Sequence, residues 1–252
     1  MRKYLIAGNW KMHKTVEEAR KFFEVFLKKL EEKAVDREIM IAPPFTCMFA
    51  CAEAVKGSIV KLGAQNACWE PKGAFTGEIS PEMLKEFGVK YVIIGHSERR
   101  HIFGETDELI NKRVKGVFSA GLVPVLCVGE TLEEREAGKT FDVVKNQLEE
   151  GLKGLSGVNG ENLVIAYEPV WAIGTGKTAT PLQAQEVHQF IRERLKDLFG
   201  EKVSQQIRIL YGGSVKPENA GSILEQPDID GVLVGGASLD PEKFYEIYLA
   251  EA

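Results

Sequence analysis

Three chemically active side chains of this sequence stand at or just after the ends of short apolar runs. Glu168 ends the run that begins at Leu163, His96 follows the run Lys90–Gly95, and Lys11 comes two residues after the run Tyr4–Asn9. A carboxylate can act as a general base, and an imidazole and an ammonium group can stabilise negative charge that develops on a substrate oxygen. Together these groups indicate acid–base chemistry at a carbonyl compound.

Glu168 is the candidate base. It follows an apolar run and precedes Pro169 and Val170-Trp171, so its surroundings should be poorly hydrated. Poor hydration predicts a raised pKa, which suits a base that works near neutral pH. The alternative is a glutamate at a strand end that is paired with an arginine or a lysine.

His96 and Lys11 have structural alternatives as well. A lone histidine is usually a hydrogen-bonded structural residue, but Ser97-Glu98 could begin a helix whose positive end would keep the His96 ring neutral. A neutral ring can still donate a hydrogen bond to a carbonyl oxygen. Lys11, one of 32 basic residues, would by itself be a solvated surface charge, and its place just beyond a buried run beside Asn9 favours a functional role.

Glycine-rich turns suggest that the ligand carries a phosphate. The turns are Ile173-Gly174-Thr175-Gly176, Gly213-Ser214 and Gly235-Gly236, and the last two directly follow apolar runs. Backbone N–H groups in such turns and at helix N-termini bind phosphate, although each turn alone is more often only a turn.

Eight apolar runs alternate with longer amphipathic segments along the whole chain. The runs are Tyr4–Asn9, Glu38–Pro43, Ile59–Ala64, Lys90–Gly95, Leu122–Val128, Leu163–Glu168, Ile207–Gly212 and Gly231–Gly235. Nearly continuous apolarity is typical of parallel strands that helices bury on both faces. Helix-start signals lie between the runs at Thr15, Thr131, Pro181, Pro217 and Pro241.

This alternation predicts one α/β domain over residues 1–252, a (β/α)₈ barrel with eight parallel strands ringed by helices. The alternative is an open, doubly wound sheet. In either fold the residues that follow the strands meet at one edge, where ligands bind.

Composition excludes several classes of protein. The net charge of −5, with 32 basic and 37 acidic residues interspersed, argues against a nucleic-acid-binding surface. No apolar stretch is long enough to span a membrane, and the N-terminal apolar stretch is too short for a signal peptide. The four cysteines form no CxxC pair, and no cluster of potential ligands has metal-binding spacing. We therefore expect a cytoplasmic protein with reduced thiols, no metal and no membrane partner.

Six blocks of the sequence, in order along the whole chain, resemble the triosephosphate isomerase family. The blocks are Ala7–Met12, Gly73–Glu78, Ile94–Arg100, Ala166–Gly176, Tyr211–Ser214 and Val234–Ala237. The resemblance implies a cofactor-independent aldose–ketose isomerase that interconverts dihydroxyacetone phosphate and D-glyceraldehyde 3-phosphate through an enediolate. The alternative is another phosphate-binding barrel enzyme such as an aldolase.

The resemblance also implies a role for each site residue. Glu168 would move the proton, while neutral His96 and Lys11 would stabilise the enediolate oxygens. Asn9 would position Lys11 and touch the substrate, and Glu98 would lie behind Lys11. The residues expected to bind the substrate or its phosphate are Asn9, Lys11, Gly174, Ser214, Gly235 and Gly236, of which the last four would hold the phosphate.

Two mobile or intermolecular features are implied in the same way. Residues Pro169–Lys177 would form a lid in which Trp171 and Ile173 exclude water. The segment Gln65–Glu78 would form the interface of a homodimer, with Thr76 near the partner's site and Glu78 paired with Arg99 across the interface.

Overall fold

The computed structural model describes residues 2–173 and 178–251, and its centre is a closed barrel of parallel strands. The strands are β1 (Leu5–Asn9), β2 (Glu38–Ala42), β3 (Val60–Ala64), β4 (Val89–Ile94), β5 (Val123–Val128), β6 (Val164–Tyr167), β7 (Arg208–Tyr211) and β8 (Gly231–Val234). Each strand pairs with the next, and β1 also pairs with β8 from Leu5 opposite Gly231 to Gly8 opposite Val234. This closure confirms the predicted barrel, whereas the open-sheet alternative is wrong.

Helices follow the strands and cover the outside of the barrel. They are α1 (Val16–Glu32), α2 (Met48–Val55), α3 (Pro81–Glu86), α4 (Ser97–His101), α5 (Asp107–Ser119), α6 (Leu132–Glu136), α7 (Thr140–Leu152), α8 (Pro181–Phe199), α9 (Glu201–Ser204), α10 (Pro217–Leu224) and α11 (Pro241–Leu249). Short 3₁₀ helices occupy Phe45–Cys47, Val170–Ala172 and Gly236–Leu239.

The predicted helix starts are confirmed, and each has a local cause. Thr15 caps α1, because its hydroxyl accepts a hydrogen bond from the Glu18 N–H while the Glu18 carboxylate accepts one from the Thr15 N–H. Thr131 and Glu134 form the same reciprocal pair at the start of α6. Proline occupies the first position of α8, α10 and α11. A backbone N–H at this position would have no acceptor within the helix, so its absence in proline costs no hydrogen bond.

The core has two layers because successive strand residues point to opposite faces of the sheet. Leu5, Met40 and Tyr91 belong to a cluster inside the barrel, whereas Ile6 and Ile39 belong to the larger cluster between the strands and the helices. The side chains of both layers are buried, and burial on both faces of the strands explains the nearly continuous apolar runs.

A charged cluster lies at the end of the barrel where the strands begin. The Glu38 carboxylate accepts hydrogen bonds from Lys90 Nζ and Arg208 Nη1, both at 2.7 Å, and Arg208 Nη2 donates to the Tyr91 hydroxyl at 2.8 Å. Burial alone would raise the pKa of Glu38, but these bonds and the Arg208 charge lower it to about 2. The candidate functional residues lie at the opposite end of the barrel, where the strands finish.

Within residues 2–173 and 178–251, we find no helix that is long and apolar enough to cross a membrane. The same residues contain no group of three potential ligands that could hold a metal ion. All four cysteines are free and buried.

Candidate active site

The predicted site residues meet around a cavity of about 610 Å³ at the carboxyl-terminal ends of the strands. Its lining includes Asn9, Lys11, His96, Glu168, Ser214, Gly235 and Gly236. Glu98 does not line the cavity but accepts a hydrogen bond from Lys11, which does. Gly174, which the sequence also assigned to the phosphate, lies outside the described residues.

Glu168 directly follows β6, and its side chain is only 2% exposed. One carboxylate oxygen lies 2.9 Å from His96 Nε2 and 3.3 Å from the Ser97 hydroxyl, and the other accepts the Ser97 N–H at 2.9 Å. Burial alone would raise the pKa of Glu168, but the His96 charge and these hydrogen bonds, together with Lys11, lower it. The expectation of a raised pKa is therefore wrong: burial is as predicted, but the hydrogen-bond donors outweigh it.

His96 is the N-cap residue of α4, as the adjoining Ser97-Glu98 predicted. Its Nδ1 lies 3.3 Å from the Glu98 backbone nitrogen, whose N–H it can accept when the ring is neutral, and 3.5 Å from a Glu98 carboxylate oxygen, to which it can donate when protonated. Burial lowers the pKa of His96, and the charge and hydrogen bond of Glu168 raise it by more. The helix start therefore does not lower the pKa of His96 as the sequence suggested, and the neutral ring with its proton on Nε2 stays a prediction.

Lys11 is held in an unusual backbone conformation. Its φ of 51° lies in the left-handed region, which costs a residue other than glycine about 1–2 kcal/mol. The Asn9 side chain accepts the Lys11 N–H at 3.0 Å, and Gln65 Nε2 donates to the Lys11 carbonyl at 2.8 Å. These bonds place Lys11 Nζ 2.6 Å from the Glu98 carboxylate, beside the cavity.

The glycine-rich turns line the side of the cavity formed by β7 and β8. Ser214 follows β7, and Gly236 begins the 3₁₀ helix Gly236–Leu239. A Cβ atom on Gly235 would lie 3.5 Å from Lys11 Cε, so this turn and the lysine are neighbours. A small anionic group placed here would meet the Lys11 ammonium group and the start of a helix.

The first part of the predicted lid is tied to a buried carboxylate. Trp171 Nε1 donates to Glu130 at 2.9 Å, the Tyr167 hydroxyl donates to the same side chain at 3.1 Å, and Arg135 pairs with it at 3.0 Å. Ile173 lines the cavity, and positions 174–177 of the lid lie outside the described residues.

Sequence reasoning missed three residues of this site: Ser97, Glu130 and Gln65. The signal for the first two was available, since Ser97 follows His96 directly and Glu130 stands two residues beyond β5. Gln65 had no such signal, because its role depends on how the end of β3 lies against the backbone of Lys11.

Known proteins are similar to this chain in sequence and in architecture. The family model described as triosephosphate isomerase matches residues 4–251. The triosephosphate isomerases of Carboxydothermus hydrogenoformans and Syntrophotalea carbinolica are 58% and 56% identical to the chain, and each alignment covers 98% of both proteins.

The fold comparison agrees with the sequence comparison. The crystal structure of triosephosphate isomerase from Bartonella henselae superposes with a TM-score of 0.88 at 41% identity and covers 97% of both chains. These likenesses do not favour the aldolase alternative. The match over nearly the whole length, together with the closed barrel, shows that the chain belongs to the triosephosphate isomerase family.

Proposed function

We propose that the chain interconverts dihydroxyacetone phosphate and D-glyceraldehyde 3-phosphate, the reaction of its family, at the cavity that Glu168, His96 and Lys11 line. The observation that carries this function is the meeting of one base and two electrophilic groups at one end of the barrel. The reaction moves one proton between neighbouring carbon atoms and rearranges the carbonyl and hydroxyl groups, so it consumes no external oxidant or reductant.

Glu168 is the base of this mechanism. Its lowered pKa keeps the carboxylate ionised at neutral pH and therefore able to accept a proton. The carboxylate takes the proton from the carbon beside the carbonyl group and returns it to the neighbouring carbon. Gly212 leaves room for this movement, since a Cβ atom there would lie 3.0 Å from Glu168 Cγ.

His96 and Lys11 stabilise the enediolate. The Nε2–H of His96, which faces Glu168 in this structure, donates instead to a substrate oxygen once the carboxylate turns towards the substrate carbon. Lys11 supplies a positive charge beside the same oxygens, with Glu98 and Asn9 holding it in place. Donors fixed before the reaction lower the barrier most, because no reorganisation is needed when charge develops.

The phosphate group binds at the glycine-rich side of the cavity. Ser214, Gly235 and Gly236 hold it together with Lys11, and Asn9 contacts the substrate nearby. Gly174 and the rest of the segment Pro169–Lys177 close over it and exclude water. Since the phosphate does not react, its binding energy is free to drive closure and to position the reacting carbon.

We also infer that the protein is a cytoplasmic homodimer that assembles through the segment Gln65–Glu78. Free, buried cysteines are typical of proteins from a reducing compartment. Support for an interface comes from exposed apolar side chains that follow Lys11 and α4 in the chain: Met12, Ile102 and Phe103 are 94%, 72% and 67% exposed.

The ends of this segment are already held within the chain. Arg113 donates to the Ala67 carbonyl at 2.7 Å and to both Glu78 carboxylate oxygens at 2.8 and 3.0 Å. Arg99 pairs with Glu105 at 2.8 Å. Both members of the expected intersubunit pair, Glu78 and Arg99, thus have partners in their own chain, and the pair itself stays a prediction.

A coupled assay tests the function directly. The purified protein is given D-glyceraldehyde 3-phosphate, and dihydroxyacetone phosphate is followed through its enzymatic reduction. We expect rapid turnover by the unmodified chain and severe loss in Glu168→Gln, which keeps the length of the side chain but removes the base. A folded chain that produces no dihydroxyacetone phosphate would overturn the proposal.

A further inference from the structure

The backbone around the proposed base is held by the last residue of β5 and the residues just beyond it. The Glu168 N–H donates to the Val128 carbonyl at 2.8 Å, and the Val170 N–H donates to the Glu130 carbonyl at 3.1 Å. These bonds continue the pairing of β5 with β6 past the ends of both strands. The position of residues 128–130 therefore sets the position of the backbone that carries Glu168.

Gly129 lies at the centre of this contact. A Cβ atom there would stand 1.7 Å from the Glu168 carbonyl oxygen, far inside any allowed approach. Only glycine lets the two backbones come this close, so even a small shift of Gly129 must move Glu168.

On its other side β5 loses its strand neighbour before it reaches Gly129. The ladder with β4 ends at the pair Ile94 and Leu126, and the Cys127 carbonyl accepts a hydrogen bond from Arg100 Nη2 at 3.0 Å instead. The peptide groups of Gly129 then need partners that β4 does not supply.

Gln147, on α7, supplies these partners. Its side chain is buried, at 8% exposure, and Oε1 accepts the Gly129 N–H at 2.8 Å while Nε2 donates to the Gly129 carbonyl at 3.3 Å. A primary amide carries both an acceptor and a donor, so it replaces the missing peptide group of a neighbouring strand.

We propose that Gln147 is a positioning residue for the isomerisation, which acts through Gly129 on the backbone of Glu168. It does not line the cavity and has no role in the reaction itself. Its amide holds Gly129 from the helix side, and Gly129 in turn holds the base and the neighbouring Glu130, to which Trp171 is bonded. This inference rests on the proposed function.

The sharpest test is Gln147→Glu, which preserves shape but changes one hydrogen-bonding group. Ionised, the new carboxylate repels the Gly129 carbonyl; protonated, it accepts and donates as the amide does. Burial raises the pKa of the introduced carboxyl group. The charged groups around this contact include Glu130 with its partner Arg135, Glu168, and Arg100 with its partner Asp107.

We expect kcat of Gln147→Glu to fall about ten- to a hundredfold at pH 8, the scale set by a misplacement of up to about 1 Å. KM and inhibition by inorganic phosphate should change less than about threefold, because the phosphate site lies across the cavity. The ratio of variant to unmodified kcat should rise as the pH falls towards 5. Gln147→Met should lose kcat similarly, without recovery at low pH.

The exposed Gln189 on α8 gives the matched control, since Gln189→Glu adds the same charge to a solvent-exposed side chain on a different helix. Activities are divided by the folded fraction measured by circular dichroism, so that loss of stability is not counted as loss of kcat. Unchanged kcat in either Gln147 variant, or a Gln147→Glu defect that does not recover at low pH, would overturn the inference. Absence of activity in the unmodified chain would instead contradict the proposed function.

Discussion

Shortening the proposed base by one methylene group is the most direct perturbation of this site. In Glu168→Asp the carboxylate retracts by about 1.5 Å, the length of one C–C bond. The backbone cannot follow, because its N–H is bonded to the Val128 carbonyl and its own carbonyl lies against Gly129. The contacts at 2.9 Å with His96 and Ser97 would lengthen to about 4 Å, beyond hydrogen-bonding distance.

The same retraction moves the base away from the substrate carbon. A displacement of about 1 Å costs about a hundredfold in rate, which corresponds to about 2.7 kcal/mol in the activation barrier. KM should stay nearly constant, since Lys11, Ser214 and Gly235 hold the phosphate without help from residue 168.

Steady-state kinetics by the coupled assay, in both reaction directions, measures this effect. Glu133→Asp, which makes the same change at an exposed position on α6, is the control and should behave as the unmodified protein. A Glu168→Asp enzyme with kcat within threefold of the unmodified value would refute the reasoning. An effect confined to KM would do so as well.

Three further predictions follow from other parts of the molecule. Lys11→Ala should raise KM and lower kcat together, because one ammonium group serves both the phosphate and the enediolate; kinetics with each triose phosphate measure this. Glu38→Gln should lower the free energy of unfolding at pH 7, measured by urea denaturation, by on the order of 3 kcal/mol. This is the free energy that corresponds to the lowering of the Glu38 pKa from 4.5 to about 2. Light scattering at micromolar concentration should give twice the chain mass of 28.0 kDa.

Each of these predictions has an outcome that contradicts it. Near-normal kinetics of Lys11→Ala would remove that residue from the mechanism. The contribution of Glu38 to the free energy of unfolding is complete above pH 4.5 and is lost as the pH falls from 4.5 towards 2. If the unfolding free energies of Glu38→Gln and of the unmodified protein varied equally with pH, this prediction would be refuted. A mass of about 28.0 kDa in solution would exclude the dimer.

The strands and several helix starts could be predicted because their causes are local. All eight strands fall inside or within one residue of the predicted runs, as with Val123–Val128 against Leu122–Val128. Apolar residues on both faces of a strand report burial on both faces. The threonine caps and first-turn prolines involve only residues three or four positions apart.

The electrostatics of the base could not be predicted in the same way. Burial of Glu168 followed from its apolar neighbours in the chain, but its hydrogen-bond donors, His96 and Ser97, come from 71 or more positions earlier. The direction of its pKa depends on whether those donors outweigh burial, and that comparison needs distances.

The sequence by itself determined the repeated strand–helix order, the polar residues at the strand ends and the glycine-rich turns, since these depend on residue types and short spacings. Only the tertiary structure decided which of those residues touch. Barrel closure brings β1 beside β8, so that Lys11 lies next to Gly235. Because the pairing of β4 with β5 ends before Gly129, the side chain of Gln147 forms the hydrogen bonds of Gly129 instead. Such contacts join residues far apart in the chain, and their geometry is set by the packing of the whole barrel.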